Sequence, residues 1–181
     1  MKRIVIFIIP LVLVIFTPIF AGSLQYSIFG KPISSIQLKN GNDEPKSIPF
    51  VGEKVLTIFY TDPDVKDVND PLSQAIAKKK YSLVNYCAIG IGNCSDTWFP
   101  NAAIRYKTRQ KEEQYPLSVI LLDDAYIVKK AWSLVDCDDA AIVMIVGKDK
   151  IVKYVKAVKT QEESIAIAPE VLKILDRELN K

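Results

Sequence analysis

The stretch Lys54-Val-Leu-Thr-Ile-Phe-Tyr60, followed directly by Thr61-Asp-Pro-Asp64, decides the fold. Its β-branched and aromatic residues form one apolar run that ends at an Asp-Pro breaker, which is typical of a strand buried on both faces. Asp62 or Asp64 can cap a following helix, because a short acidic side chain accepts hydrogen bonds from the free N–H groups of a helix start. We therefore expect any binding or chemistry at this junction of strand and helix.

The N-terminal segment has the composition of a secretory signal peptide over residues 1–21. Lys2 and Arg3 precede an uncharged apolar run, and the small residues Ala21-Gly-Ser23 follow it. We expect cleavage after Ala21, which leaves one domain over residues 22–181.

An uncleaved membrane anchor is the alternative, and it would be the domain's one attachment to the membrane. The apolar run is long for a signal core, but Pro10, Pro18 and the missing basic flank after the run argue against a membrane span.

Charge and composition exclude several classes of protein. Removing Lys2 and Arg3 lowers the basic count from 24 to 22, against 21 acidic residues, so the exported chain is almost neutral and is not expected to bind nucleic acid. The chain has no histidine, which excludes Ser–His–Asp hydrolases, Cys–His proteases and histidine-based metal enzymes. No cofactor is indicated.

The apolar pattern predicts the order βαβα, then antiparallel strands, then a helix. A helix is predicted over residues 68–80, a second strand over 81–91, and a mostly helical segment over 97–114. A strand, a helix and a strand in this order form a right-handed crossover.

Two hairpins are predicted next, residues 117–122 with 126–131 and residues 141–146 with 151–158. Thr160-Gln-Glu-Glu163 has capping-box spacing and predicts a C-terminal helix, with a break or restart at Pro169. The sequence therefore predicts an α/β domain with a central mixed sheet and flanking helices.

Several stretches within residues 30–179 carry a family resemblance. They are Gly30-Lys-Pro32, Val51-Gly-Glu-Lys-Val55, Asn101-Ala-Ala-Ile-Arg105, Tyr115-Pro116 with Ser118-Val-Ile-Leu-Leu-Asp123, Ala131-Trp132 with Leu134, and Ala141-Ile-Val-Met-Ile-Val-Gly-Lys-Asp-Lys150. With the order of elements, they resemble the thioredoxin-like fold and, more narrowly, the YtfJ family of bacterial periplasmic thioredoxin-like proteins. The resemblance implies a periplasmic protein of that fold.

The chain departs from the redox-active members of this fold at two places. Their CxxC motif follows an aromatic pair, and aligning that pair with Phe59-Tyr60 puts Asp64 and Asp67 at the two cysteine positions. Their cis-proline is also missing, since the corresponding region reads Val135-Asp-Cys-Asp-Asp-Ala140. Because a carboxylate cannot attack a disulfide, the resemblance implies a non-catalytic binding or accessory module, with an envelope protein as its partner.

The three cysteines leave two interpretations open. In the thioredoxin-like fold, Cys94 and Cys137 would lie in loops at one edge of the sheet, and in an oxidising compartment we expect a structural disulfide between them. The alternative is an atypical redox pair, which would make the protein a thiol–disulfide oxidoreductase. Cys87 lies within an apolar run and is predicted to be a buried, inert thiol.

Six aspartates fall in the loops at the same predicted edge, and crowded carboxylates suggest a hard cation such as calcium. They are Asp62, Asp64, Asp67, Asp136, Asp138 and Asp139, of which Asp62, Asp64, Asp136 and Asp138 are the metal-ligand candidates. No stretch has the spacing of a calcium-binding loop, so helix caps and solvated turns are the alternative.

The predicted helix over residues 97–114 carries alternating cations at Arg105, Lys107, Arg109 and Lys111. Their spacing points them around the helix, which predicts a solvated helix. The alternative is a contact face for an acidic partner or an anionic lipid. Trp98-Phe99 and Trp132 are predicted to pack in the core or at its edge.

Overall fold

A computed structural model describes residues 26–114 and 119–181 of the chain. The predicted signal peptide and the first two residues of the predicted strand at 117–122 lie outside these ranges. Among the described residues, no helix is both long and apolar enough to cross a membrane. The elements are β1 (Gln37–Lys39), β2 (Pro45–Ser47), β3 (Val55–Thr61), α1 (Asp70–Lys78), β4 (Tyr86–Asn93), α2 (Asn101–Gln114), β5 (Val119–Asp123), α3 (Ile127–Ala131), β6 (Ala141–Val146), β7 (Val152–Val158) and α4 (Gln161–Leu179).

The described strands form one mixed sheet in the order β2-β1-β5-β4-β3-β6-β7. The central strand β3 pairs in parallel with β4 and antiparallel with β6. β4 also pairs in parallel with β5, and β6 and β7 form the predicted hairpin. The mixed sheet with flanking helices confirms the predicted fold class.

The side chains of β3 alternate between two hydrophobic cores, one on each face of the sheet. Leu56, Ile58 and Tyr60 belong to the core that includes Trp132, beside α3. Val55 belongs to the other core, which α1 and α4 cover. Burial of β3 on both faces is therefore confirmed. Trp132 is buried in the core as predicted.

The predicted hairpin between residues 117–122 and 126–131 is wrong. β5 pairs in parallel with β4, and the chain after it forms helix α3. The cause is Asp123, whose buried carboxylate accepts the backbone N–H groups of Ile127 and Val128 at 2.8 and 2.9 Å. These N–H groups begin the helix and would otherwise lack partners. The Tyr60 hydroxyl donates to the same carboxylate at 3.2 Å, which ties α3 to the central strand.

The first helix and the second strand begin later than predicted. Asp62 caps a 3₁₀ turn over Pro63–Val65, and α1 starts only at Asp70. β4 starts at Tyr86 because residues 82–86 form a turn, in which the Tyr86 N–H donates to the Ser82 carbonyl.

The C-terminal helix has no break at Pro169, contrary to the prediction. Ile167, Val171 and Leu175 remain buried on both sides of the proline. Their packing outweighs the one backbone hydrogen bond that the proline removes. The predicted cap is confirmed, since the Thr160 hydroxyl accepts the Glu163 N–H at 3.2 Å.

Replacing Asp123 with alanine should lower the free energy of unfolding by about 2–4 kcal/mol, because it leaves the buried N–H groups at the start of α3 without an acceptor. Urea denaturation followed by circular dichroism measures the change. Tyr60→Phe is the control, because it removes one donor to Asp123 and should cost only about 1 kcal/mol. Equal losses in both variants would contradict the capping role.

Candidate functional site

Four core strands meet at one edge of the sheet. Asp62 follows β3, Asn93 ends β4, Asp123 ends β5 and Ala140 precedes β6. Parallel strands end at the same edge and an antiparallel neighbour begins there, so the loops that carry Cys94 and Cys137 also meet at this edge. We refer to it as the carboxyl edge.

Asp62 lies at the carboxyl edge, two residues before the first position that aligns with the cysteines of redox-active members of the fold. Its side chain is fully buried, and Oδ1 accepts the backbone N–H of Asp64 at 2.9 Å. Oδ2 accepts the backbone N–H of Asp139 at 3.0 Å. The Asp62 N–H donates in turn to the carbonyl of Ala140 at 3.0 Å. One carboxylate thus joins the turn after β3 to the loop before β6.

The electrostatics of this site do not supply a nucleophile. Burial raises the pKa of the Asp62 carboxyl above its usual range, the two backbone donors oppose that shift, and the nearby charges of Asp64 and Asp138 add to it. A carboxylate that is held by two N–H groups acts as a hydrogen-bond acceptor. It cannot exchange with a disulfide as a thiolate does.

The two positions aligned with the CxxC cysteines carry exposed aspartates. Asp64 accepts a hydrogen bond from the Thr97 hydroxyl at 2.8 Å, which links the turn after β3 to the segment before α2. The Asp67 backbone carbonyl accepts the side-chain amide of Gln161 at 3.1 Å. The segment between β3 and α1 therefore presents carboxylates to solvent.

The loop before β6 is the region that the family resemblance aligns with the cis-proline of redox-active members of the fold. The described residues contain no cis peptide bond. Asp136 and Asp139 adopt left-handed backbone conformations, with φ of 53° and 49°. Aspartate is one of the few residue types that enter this region readily, and the Asp139 N–H in this loop is the one bound by Asp62.

All three cysteines are free thiols in the structure. Cys94 is 7% exposed and Cys137 is 2% exposed. Each thiol donates to the carbonyl of the residue two positions before it, Cys94 to Gly92 and Cys137 to Val135, with a donor–acceptor distance of 3.5 Å in both cases. The predicted bond between Cys94 and Cys137 stays a prediction for the oxidised protein.

The thiols at the carboxyl edge are poorly ionised. Burial raises the pKa of Cys94 to about 12, with a further contribution from the charges of Asp124 and Asp123. Burial also raises the pKa of Cys137 to about 11. At pH 7, only about one Cys137 thiol in 10⁴ is the thiolate that attacks disulfides.

Cys87 differs from its prediction because it is half-buried rather than buried. Its side chain lies on the same face of β4 as Ile89, and it packs only at the margin of the core beside α3. Burial raises the pKa of this thiol, and the nearby charge of Lys54 opposes that shift.

The six aspartates converge only in part. The carboxylate oxygens of Asp62, Asp138 and Asp139 lie within 4.8 Å of one another, whereas Asp64, Asp67 and Asp136 do not belong to this group. Both oxygens of Asp62 already accept backbone N–H groups. Calcium takes six to eight oxygen ligands. A calcium site at the carboxyl edge stays a prediction, with Asp138 and Asp139 as its exposed carboxylates.

Sequence reasoning missed a polar pair at the carboxyl edge. The buried side-chain amide of Asn93 donates to Asp96 at 2.7 Å and lies 3.4 Å from the Cys137 carbonyl. Burial opposes ionisation of Asp96, but the hydrogen bond from Asn93 and the charge of Lys129 lower its pKa below the usual range. The available signal was the position of Asn93, a polar residue that ends an apolar strand.

The central strand, the helix that follows it and the antiparallel hairpin define a protein of the thioredoxin fold. Solved structures agree with this class. A putative protein disulfide isomerase from Bacteroides thetaiotaomicron matches with a TM-score of 0.60 and 12% identity, covering 86% of this chain and 95% of that one. A putative thiol:disulfide interchange protein DsbE from Chlorobium tepidum gives 0.57 and 10%, covering 81% and 97%. The exposed lipoprotein thioredoxin Etrx1 from Streptococcus pneumoniae gives 0.56 and 10%, covering 80% and 99%.

Residues 51–177 match the model of the family described as bacterial protein of unknown function YtfJ_HI0045. The chain belongs to that family, which confirms the resemblance drawn from the sequence. A comparison with curated protein sequences gave no match. At 10–12% identity, the structural similarities establish the fold alone.

Replacing Asp62 with alanine should lower the free energy of unfolding by about 1–3 kcal/mol, because the backbone N–H groups of Asp64 and Asp139 lose their acceptor. Chemical denaturation measures the loss. Asp67→Ala is the matched control, since its exposed side chain should matter by less than about 0.5 kcal/mol.

The pH dependence checks the same site. Because folding raises the pKa of Asp62, the stability that this group contributes is complete below its unfolded pKa of about 4 and falls as the pH rises through the folded value. The stability of the wild type relative to Asp62→Asn should therefore decline over that rise. An increase would contradict the raised pKa of the Asp62 carboxyl.

The reduced native protein should react with iodoacetamide first at Cys87, because Cys94 and Cys137 are more deeply buried. Mass mapping of alkylated peptides measures each rate. The rates at Cys94 and Cys137 should rise about tenfold per pH unit between pH 7 and 9, because both pKa values lie above that range. In urea all three thiols should react alike, and a plateau near pH 8 for either edge thiol would contradict the assignment.

Proposed function

We propose that this chain is an exported, periplasmic member of the YtfJ family that acts as a non-catalytic binding or accessory module in the cell envelope. The observation that carries this proposal is the chemistry of the segment between β3 and α1. Carboxylates stand where a redox-active relative presents its thiols, and Asp62 uses both of its oxygens to hold the surrounding loops. A site built this way favours a structural or binding role over electron transfer.

Export is supported by the signal-like segment of residues 1–21. The names of two similar structures point the same way, since one is called an exposed lipoprotein and the other a DsbE-type interchange protein. Outside the cytoplasm, an envelope protein is the partner class that such a module would meet.

An aromatic pair beside the carboxyl edge suits partner binding. Trp98 is 77% exposed and stacks on Phe99, with ring centroids 4.2 Å apart, so its predicted packing in the core or at the core's edge is wrong. The preceding Thr97 donates to Asp64, which holds this pair next to the start of α1. Exposed aromatic side chains are frequent anchors of protein interfaces.

The alternative function is a thiol–disulfide oxidoreductase that uses Cys94 and Cys137. The observation in its favour is that both residues lie at the carboxyl edge, where the Asn93 side chain approaches the Cys137 carbonyl. Burial and the raised pKa of both thiols count against it.

Insulin reduction tests the proposal against this alternative. The full chain is expressed in a bacterial host, and the protein is recovered from the periplasm, where its mass should show an N-terminus at Gly22. With glutathione as the reductant, turnover should equal that of the Cys94→Ser variant, because no ionised thiol is available at the edge. Cys87→Ser controls for the remaining thiol. Turnover that is lost in Cys94→Ser and kept in Cys87→Ser would contradict the non-catalytic role.

A further inference from the structure

Beyond the buried Tyr86, one face of β4 carries no large side chain. Ile89 and Ile91 of this strand point into the core beside α3. The alternate residues Ala88, Gly90 and Gly92 line the opposite face, where α1 and α2 lie. Because β-strand side chains alternate between faces, this run of small residues forms the floor of a groove about 13 Å long.

Two adjoining cavities occupy this groove. The first lies between α1 and α2 and has a volume of about 290 Å³. The second lies beside the far end of α1, under Tyr81 and Leu83, and has a volume of about 300 Å³. Phe59 and Ser73 line both cavities, so the two adjoin, and together they have the size that small ligands fill.

The open groove follows from the weak packing of α2. Among its described side chains only Thr108 is buried, and Ile104 is half-buried above the first cavity. Arg105 and Arg109 hold the helix from its side: they donate to Asp43 at 3.1 Å and to the Gly41 carbonyl at 2.6 Å. The helix is thus fixed to the β1–β2 turn without filling the space over β4.

The two ends of the groove differ in charge. Lys66, Lys107 and Lys111 line the first cavity, with Asp70 as its one acidic lining residue. None of these three lysines forms an ion pair with another described residue. The second cavity is lined mainly by apolar and aromatic groups, and Lys80 is its one charged residue. The site therefore matches a ligand with an anionic head and an apolar tail.

A buried amide adds a second polar feature at the lysine end. Asn69 lines the first cavity and is 5% exposed, and its Nδ2 donates to the Thr61 hydroxyl at 3.2 Å. Its Oδ1 has no hydrogen-bond partner in the described part of the chain. A water that bridges this oxygen and a carboxylate head group would supply the missing donor.

We infer that the groove between α1 and α2 binds a single-chain anionic amphiphile of the fatty-acid type. The head group lies among Lys66, Lys107 and Lys111, and the chain runs over Gly90 and Ala88 towards Leu83. This binding is separate from the proposed partner contact at Trp98, so either can hold without the other.

The test uses straight-chain fatty acids from hexanoate to tetradecanoate. The full chain is expressed in a bacterial host, the protein is recovered without detergent and stripped of bound lipid, and each fatty acid is titrated into it by calorimetry. Affinity should rise about fourfold with each added methylene, because each buries further apolar surface, and should level off when the groove is full. Affinity that is independent of chain length would overturn the inference.

Two variants test where the chain lies. Gly90→Leu should abolish binding of decanoate, because the leucine side chain would occupy the groove above β4. The strand can accept this side chain, since a Cβ at position 90 would meet only the Val119 carbonyl oxygen, at 3.9 Å. Ser73→Glu, at an exposed position of α1 that lines both cavities, should do the same without disturbing the sheet. If Gly90→Leu does not fold, Ser73→Glu decides, and wild-type affinity in that variant would overturn the inference.

The head-group contact is tested with decanoate and decan-1-ol. The double variant Lys107→Ser/Lys111→Ser should weaken decanoate binding about tenfold, because two cations near the carboxylate are removed, and should leave decanol binding unchanged. Lys173→Ser, an exposed position on α4, is the matched control and should alter neither affinity. Equal weakening of both ligands by the double variant would contradict the assigned orientation.

Discussion

Strand β3 is hydrogen-bonded on both edges and buried on both faces. The rest of the structure depends on providing hydrogen-bond partners for its backbone and apolar neighbours for its side chains. Its backbone groups require β4 and β6 as neighbours, and its side chains require a helical layer on each side. The short parallel crossover through α1 and the β6–β7 hairpin meet both demands. The chain then leaves β3 at Asp62, in the middle of the sheet edge, where any side chain lies among four strand ends.

Asp62 shows how the turn after β3 serves to hold loops together in this protein. Its buried carboxylate is occupied by N–H groups from two loops. The contact with Asp139 spans 77 residues of sequence and fixes the loop before β6 without a cis-proline. At the end of β5, two strands away, Asp123 uses its carboxylate in the same way, for the start of α3. Both carboxylates therefore act as hydrogen-bond acceptors that hold chain segments in place.

The sequence predicted features that depend on local pattern, and it failed where a distant partner decided the outcome. The apolar run of β3, the turn between β6 and β7 and the cap at Thr160 are each encoded within a few residues. Residues 126–131 resemble a strand in composition, yet Asp123 and the distant Tyr60 turn them into a helix start. The exposure of Trp98 and the separation of Asp136 from Asp62 also depend on tertiary placement, which a single sequence does not specify.

The sequence alone does not predict the groove over β4, because the groove depends on which face of the strand each residue takes in the fold. Alternation of Ile89 and Ile91 with Ala88, Gly90 and Gly92 reads as a continuous buried strand, because small and large apolar residues both favour burial. The sheet places the isoleucines in one core and leaves the small residues facing a helix that buries only Thr108. A strand this small under a helix this polar costs packing energy that a larger side chain at position 90 would recover. The open face therefore persists at a cost in stability, and occupation by an apolar ligand would offset that cost.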